Sequence, residues 1–154
     1  MATQRTDLST LSCSIARSLE VVGARWTLLI MREALAGRTR FAEFRDALRM
    51  APDVLSERLA TLVEYGVMTK QPYQEPGSRA RLRYHLTPAG RDLLVVVGAL
   101  QQWGDDHLPR PEGPTIERRS HIDNAPLRVA FVDPNGNEVD LDKVDLVRTA
   151  AYPR

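Results

Sequence analysis

The chain has one cysteine, Cys13, among 154 residues. A single thiol excludes an intramolecular disulfide framework and any zinc site built on several cysteines. Histidine is nearly as scarce. His85, His107 and His121 are scattered, with no second ligand at a metal-binding spacing, so no metal is expected. No apolar run approaches the roughly 20 residues that a membrane helix needs. The opening MATQRTDLSTLS lacks the apolar stretch of a secretory signal, so a cytoplasmic protein is expected. Glycine-rich phosphate loops and nucleophile elbows are missing as well, and neither a catalytic residue nor a cofactor is expected. Net charge is nearly absent, at +1, which leaves local sign to carry the meaning.

What is present starts with size and composition. A chain of 154 residues with 43% hydrophobic and 27% charged residues is ordinary for a soluble globular protein. It is long enough for one well-buried domain with a small appendage. Positive charge gathers in one place: Lys70, Arg79, Arg81, Arg83 and Arg91 stand against only Glu75, while beyond Pro111 the balance turns slightly acidic. Such a cluster suits phosphate binding.

The organising stretch is Ala51 to Gly66. Pro52 suits a first helical position, where its missing N–H costs nothing. Leu55, Leu59, Leu62 and Gly66 recur at helical spacing, and Gly66 suits the left-handed position that ends a helix. Asp53, Glu57, Ala60 and Glu64 point away from that stripe, with Ser56 and Thr61 on its shoulders. Upstream, Phe41, Phe44 and Leu48 mark another short helix. Downstream, residues 69–74 and 81–86 alternate as two strands around the turn Glu75-Pro76-Gly77-Ser78, with Pro72 restricting the first to an edge. Helix, turn, helix and basic two-stranded wing predict a winged helix-turn-helix, mainly α with a small β-wing.

The remaining elements follow the same logic. Two further helices are expected, one from near Ser12 to Gly23 and one from Trp26 to Ala36, with Trp26, Leu29, Ile30 and Ala34 inward. Residues 38–40 suggest a very short strand. Thr87-Pro88 supplies a cap and first-turn proline for a last helix reaching about His107, whose wide apolar surface suggests packing beyond its own domain. The expected organisation is a flexible segment over 1–11, the winged domain over 12–108, a linker over 109–126 and a β-hairpin extension over 127–154. In that extension, strands at 127–132 and 138–141 flank Asp133-Pro134-Asn135-Gly136, a type I turn with a glycine bulge. Residues 143–150 fit a third strand or a short helix.

Cys13, Val22-Gly23-Ala24-Arg25-Trp26-Thr27-Leu28-Leu29-Ile30, Arg40-Phe41-Ala42-Glu43-Phe44, Leu55-Ser56-Glu57-Arg58-Leu59, Gly66-Val67-Met68, Tyr84-His85-Leu86-Thr87-Pro88-Ala89-Gly90 and Trp103-Gly104 occur in order over one domain. In that order and spacing the chain resembles the HxlR family of bacterial transcriptional regulators, relatives of MarR-type winged helix proteins. The resemblance implies a homodimer built from the first and last helices, binding a roughly palindromic double-stranded DNA operator. Ile15, Leu19, Leu100, Trp103 and His107 are the corresponding interface candidates. Some relatives sense oxidants through a cysteine at this end, which makes Cys13 a candidate redox sensor; the bland alternative is a small buried hydrophobe. The wing tip EPGSRARLRY departs from the family's frequent paired prolines, and the tail lies outside the basic family domain.

For DNA contact the candidates are Arg40, Pro52, Asp53, Ser56, Glu57, Arg58, Ala60, Thr61, Arg79, Arg81 and Arg83. Serine and threonine contact either base type, glutamate accepts from cytosine, and arginine holds phosphates. Arg58 is equally suited to packing its stem along the domain edge. A small-molecule effector is a further expected partner. The alternative from a different class is a winged-helix protein-interaction module, favoured by the acidic face of Asp53, Glu57 and Glu64.

Overall fold

Why the chain turns where it does is visible at each cap of the computed structural model, which describes residue 7 and residues 11–152. The flexible segment expected over 1–11 lies, apart from residues 7 and 11, outside the described residues. Five helices and two small antiparallel hairpins follow in order. The chain divides into two compact units, and the division falls inside the last helix, between Leu94 and Val95.

In the first unit, α1 spans Ser14–Val22 and α2 spans Thr27–Leu35. α3 is Phe41–Leu48 and α4 is Pro52–Glu64. Pro52 opens α4 behind an extended Ala51, as expected. Gly66, with φ +69°, turns the chain out of it in a conformation that would strain a side-chain-bearing residue. Between α3 and α4 the left-handed position is held by Arg49, with φ 50°, an unfavourable place for a non-glycine residue. α3 is capped by Glu43, whose carboxylate accepts the backbone N–H groups of Thr39 and Arg40, both at 2.9 Å. Those two bonds, Arg40's first, hold the Glu43 carboxyl below the usual range.

The wing is β1, Met68–Tyr73, paired antiparallel with β2, Arg81–Leu86, in a register running from Met68 opposite Leu86 to Tyr73 opposite Arg81. The other edge of β2 carries a single bridge between Arg40 and Arg83, so the short strand expected near residues 38–40 is reduced to one bridge. β1 is thus the outer edge, where Pro72 interrupts no ladder. Thr87 accepts the Gly90 N–H at 3.1 Å and donates to the Gly66 carbonyl at 2.6 Å, tying the start of α5, Pro88–His107, to the end of α4.

Phe44, Ile30, Leu55, Leu59 and Leu62 form the centre of this unit's core. Periodicity placed Trp26 and Leu29 inward, but both are half-buried, and Thr27 and Met31 take the fully buried positions. The helix starts one residue later than expected, at Thr27, with Trp26 as its N-cap. The first helix likewise starts later than expected, at Ser14, which leaves Cys13 just before it, exposed at the N-cap. The Arg17 guanidinium donates to the carbonyls of Leu11 and Ser12 and to the Ser14 hydroxyl, on either side of Cys13.

The second unit holds Val95–Ala151. Here Gln102 of α5 donates to the Val129 carbonyl at 3.0 Å and accepts the Val129 N–H at 2.9 Å, so one side-chain amide acts as a strand partner. Gln101 binds the Ile116 carbonyl at 2.6 Å, and residues 118–127 double back through Leu127 N–H to Arg118 carbonyl, 2.7 Å. Part of the stretch expected as a linker is therefore held against this helix. The strands are shorter than expected: β3 is Phe131–Val132 and β4 is Glu138–Val139. The reason is competition, since the backbone of Leu127 and Val129 is bonded to Arg118 and Gln102 instead of to β4. The intervening turn is as expected. Gly136, at φ +84°, donates to the Asp133 carbonyl, and Asp133 receives the N–H groups of Asn135 and Asn137. Leu141–Lys143 is a single 3-10 turn, and neither a further strand nor an α-helix forms over residues 144–150.

Candidate nucleic-acid interface

The outward face of α4 is set by the leucine stripe behind it. With Leu55, Leu59 and Leu62 sealed in the core, Pro52, Asp53, Ser56, Glu57 and Ala60 are exposed. This face carries one hydroxyl, two carboxylates and a methyl group around the free N–H groups of the helix start, which attract anions. Thr61 is half-buried and donates its hydroxyl to the Glu57 carbonyl at 3.1 Å, so it turns back onto its own helix. Arg58 is half-buried and pairs with Glu57 at 3.2 Å. Beside the face runs a shallow groove of about 310 Å3, lined by Ser56, Ala60, Lys70 and Leu82 among others, which brings α4 and the wing together.

The wing arginines separate into two kinds. Arg83 is half-buried, its guanidinium 4.4 Å from the centre of the Tyr73 ring, and its Nε is buried without a hydrogen-bond partner. Arg40 lies 5.2 Å from the same ring and pairs with Glu75 at 3.0 Å. Tyr73 is thus the common platform for two guanidinium groups, an arrangement that fixes the wing to the start of α3. Arg79 and Arg81 are exposed, and no ion pair among the described residues engages them or Lys70. Arg81 also borders a hollow with Phe41, Arg45 and Tyr73, which puts its charge near the start of α3.

Two features escaped the sequence reading. Glu33 is buried and pairs with both Arg32 and Arg38, so the Arg38 charge is neutralised within the unit. Arg45 and Arg49 are exposed on α3 and the turn before α4, close in sequence to the face described. Each follows a core position, Phe44 or Leu48, by one residue, but nothing local distinguishes them from other solvated cations. The interface candidates Ile15, Leu19, Leu100 and Trp103 are all large and exposed, at 72%, 49%, 50% and 56%. His107, also exposed, holds its ring centre 5.3 Å from that of Trp103, tilted by 40°.

Comparison with known proteins bears on the same region. A family model described as HxlR-like helix-turn-helix matches residues 21–112. An uncharacterized HTH-type transcriptional regulator of Mycobacterium tuberculosis is 49% identical over 108 residues, 70% of this chain and 67% of that protein. The crystal structure of PA1607, described as a candidate transcription factor, is similar with a TM-score of 0.80 at 33% identity, covering 94% of this chain and 100% of its own. The redox regulator HypR in its reduced form gives a TM-score of 0.57 at 25% identity, over 62% of this chain and 94% of its own. The family match stops at residue 112, whereas the PA1607 match extends into the tail.

Proposed function

The chain belongs to the HxlR-like helix-turn-helix family of transcriptional regulators, not enzymes, and from that premise we propose that it acts as a homodimer on a palindromic operator. The observation that carries the reading is the exposed polar face of α4 beside a wing tip whose exposed Arg79 and Arg81 make no ion pair among the described residues. In this reading Ser56, Glu57 and Ala60 meet base edges in the major groove. Pro52 and Asp53 lie over the backbone, and Arg79 and Arg81 hold phosphates or enter the flanking minor groove. Arg40, Arg58, Thr61 and Arg83 shape the contacting surface from behind. The exposed apolar side chains of α1 and α5, Ile15, Leu19, Leu100 and Trp103 with His107, supply the twofold contact. That contact sets two α4 helices about one turn of DNA apart. No helix among the described residues is long and apolar enough to cross a membrane, and the protein works on DNA in the cytoplasm.

The test is binding-site selection from genomic fragments, followed by fluorescence anisotropy on the selected site across a salt series. Tight, salt-dependent binding with two chains per site is the expected result. Absence of binding to any fragment would leave the second reading, a protein-interaction module, for which the exposed Asp53, Glu57 and Glu64 are the supporting observation. A small-molecule or redox signal completes the first reading. Cys13 is exposed at the start of α1, beside the proposed dimer contact at Ile15, and HypR is a redox regulator of similar fold. Diamide, which oxidises two thiols to a disulfide while being reduced to its hydrazine, should change operator affinity in the native protein. It should leave Cys13→Ser unaffected.

A further inference from the structure

The second unit contains a cleft of about 900 Å3 between the C-terminal half of α5 and the tail, a volume typical of small-molecule sites. Its helical wall presents Val96, Leu100 and Trp103, and its opposite wall presents Val129, Phe131 and Leu141. These are not sealed against each other: Trp103 is 56% exposed, Phe131 55% and Leu141 77%. The polar groups of the lining are already matched. Arg128 pairs with Glu138, and Asp140 pairs with Lys143. Gln102 uses both ends of its amide on the Val129 backbone.

We propose that this cleft binds a neutral, largely apolar small molecule carrying an aromatic ring. An ionised ligand would exchange its hydration for a lining whose every charged side chain has an internal ion partner, which is unfavourable. A neutral aromatic ligand instead covers the exposed faces of Trp103 and Phe131 and releases water from both. The walls differ in construction. One is a continuous helix, and the other is a hairpin of two-residue strands held by Gln102, so the tail adjusts to the ligand more readily than the helix does. Leu100 and Trp103 also belong to the proposed dimer face, so occupancy alters association by mass action. That consequence rests on the dimeric regulator reading; the binding itself does not.

The full chain is titrated, without DNA, with the neutral fluorophore N-phenyl-1-naphthylamine in a Trp26→Phe background. The expected result is saturable emission with about one probe per chain, excited by energy transfer from Trp103. The sulfonated analogue 1-anilinonaphthalene-8-sulfonate should bind at least about tenfold more weakly. Ala99, exposed on the helical wall, is replaced to fill the cleft: Ala99→Trp should weaken the neutral probe about tenfold or more, and Ala99→Ser should not. Leu141→Glu, on the exposed tail wall, provides a second variant that should do the same. Absence of saturable binding, or equal binding of the sulfonated probe, overturns the proposal. Sedimentation of the same samples identifies a second copy as the occupant: a probe that binds only after dilution to monomer, with Ala99→Trp splitting the dimer, also overturns it. Because no arm contains DNA, failure of operator binding cannot be mistaken for failure here.

Discussion

In the first unit Phe44, Ile30, Leu55, Leu59 and Leu62 are wholly removed from solvent, packed between four helices and a strand pair. In the second, no apolar side chain with a branched or aromatic body is buried among the described residues, and Leu100, Trp103, Leu127, Phe131 and Leu141 stay at least half exposed. Both units nevertheless bond backbone groups across their turns and loops. The first does so through helices and one hairpin. The second uses borrowed partners, with Gln102 standing in for a strand and Asp133 collecting the amides of its turn. The difference teaches that hydrogen bonding defines a backbone path without closing a core. A unit of that kind keeps apolar surface available for something else to cover.

The largest effects should come from attacking the closed unit. Phe44→Ala removes a fully buried ring and should cost about 3–5 kcal/mol in denaturant unfolding. Phe131→Ala, in the open unit, should cost less than about 1 kcal/mol. Equal costs would mean that the second unit is closed in solution and that the contrast is false.

Next in size is the wing. Replacing both Arg79 and Arg81 with alanine should leave stability unchanged within about 0.5 kcal/mol. It should also flatten the salt dependence of operator binding by about 0.9 for each lost phosphate contact, or roughly two units per chain and twice that for a dimer on its site. Arg83→Ala should do the opposite, destabilising the wing through loss of the Tyr73 stack while changing the slope little. Measuring affinity across a salt series and unfolding in parallel separates the two kinds of arginine.

Gln102→Leu sharpens the comparison from the tail's side. Loss of two hydrogen bonds to Val129 should cost about 1–2 kcal/mol, read as faster hydrogen exchange at Val129 and Leu127. The amides of Leu55 and Leu59 should keep their protection. A uniform loss of protection through both units would show that they unfold as one.

The smallest effect is the pH dependence that Glu43 contributes to the first unit. Glu43 has a folded-state pKa below its unfolded value, because its carboxylate accepts the Arg40 and Thr39 amides. Its contribution is complete above the ordinary glutamate range and is lost as pH falls through the folded value. Since the side chain is partly exposed, solvent screening keeps the effect below about 1 kcal/mol. Glu43→Gln should therefore lower stability slightly near neutrality and converge on the native protein in acid, as followed by thermal melting from pH 7 to pH 3.

Sequence alone determined the elements whose causes are local. Pro52 and Gly66 bound α4, Thr87 and Pro88 start α5, and Pro72 sits on an edge strand, because caps, turns and periodicity depend on residues a few positions apart. The turn at Asp133 to Gly136 was legible for the same reason. The tertiary structure decided which of several equivalent residues does what. Arg79 and Arg83 read alike in the sequence, yet Tyr73 and Arg40 converge on one of them across the fold and leave the other in solvent. The tail strands were overestimated because Gln102, 27 residues before Val129, takes the backbone groups that a longer ladder would have used. Pairing across such separations is a competition among many similar partners. Only the packed chain brings one of them within hydrogen-bonding distance.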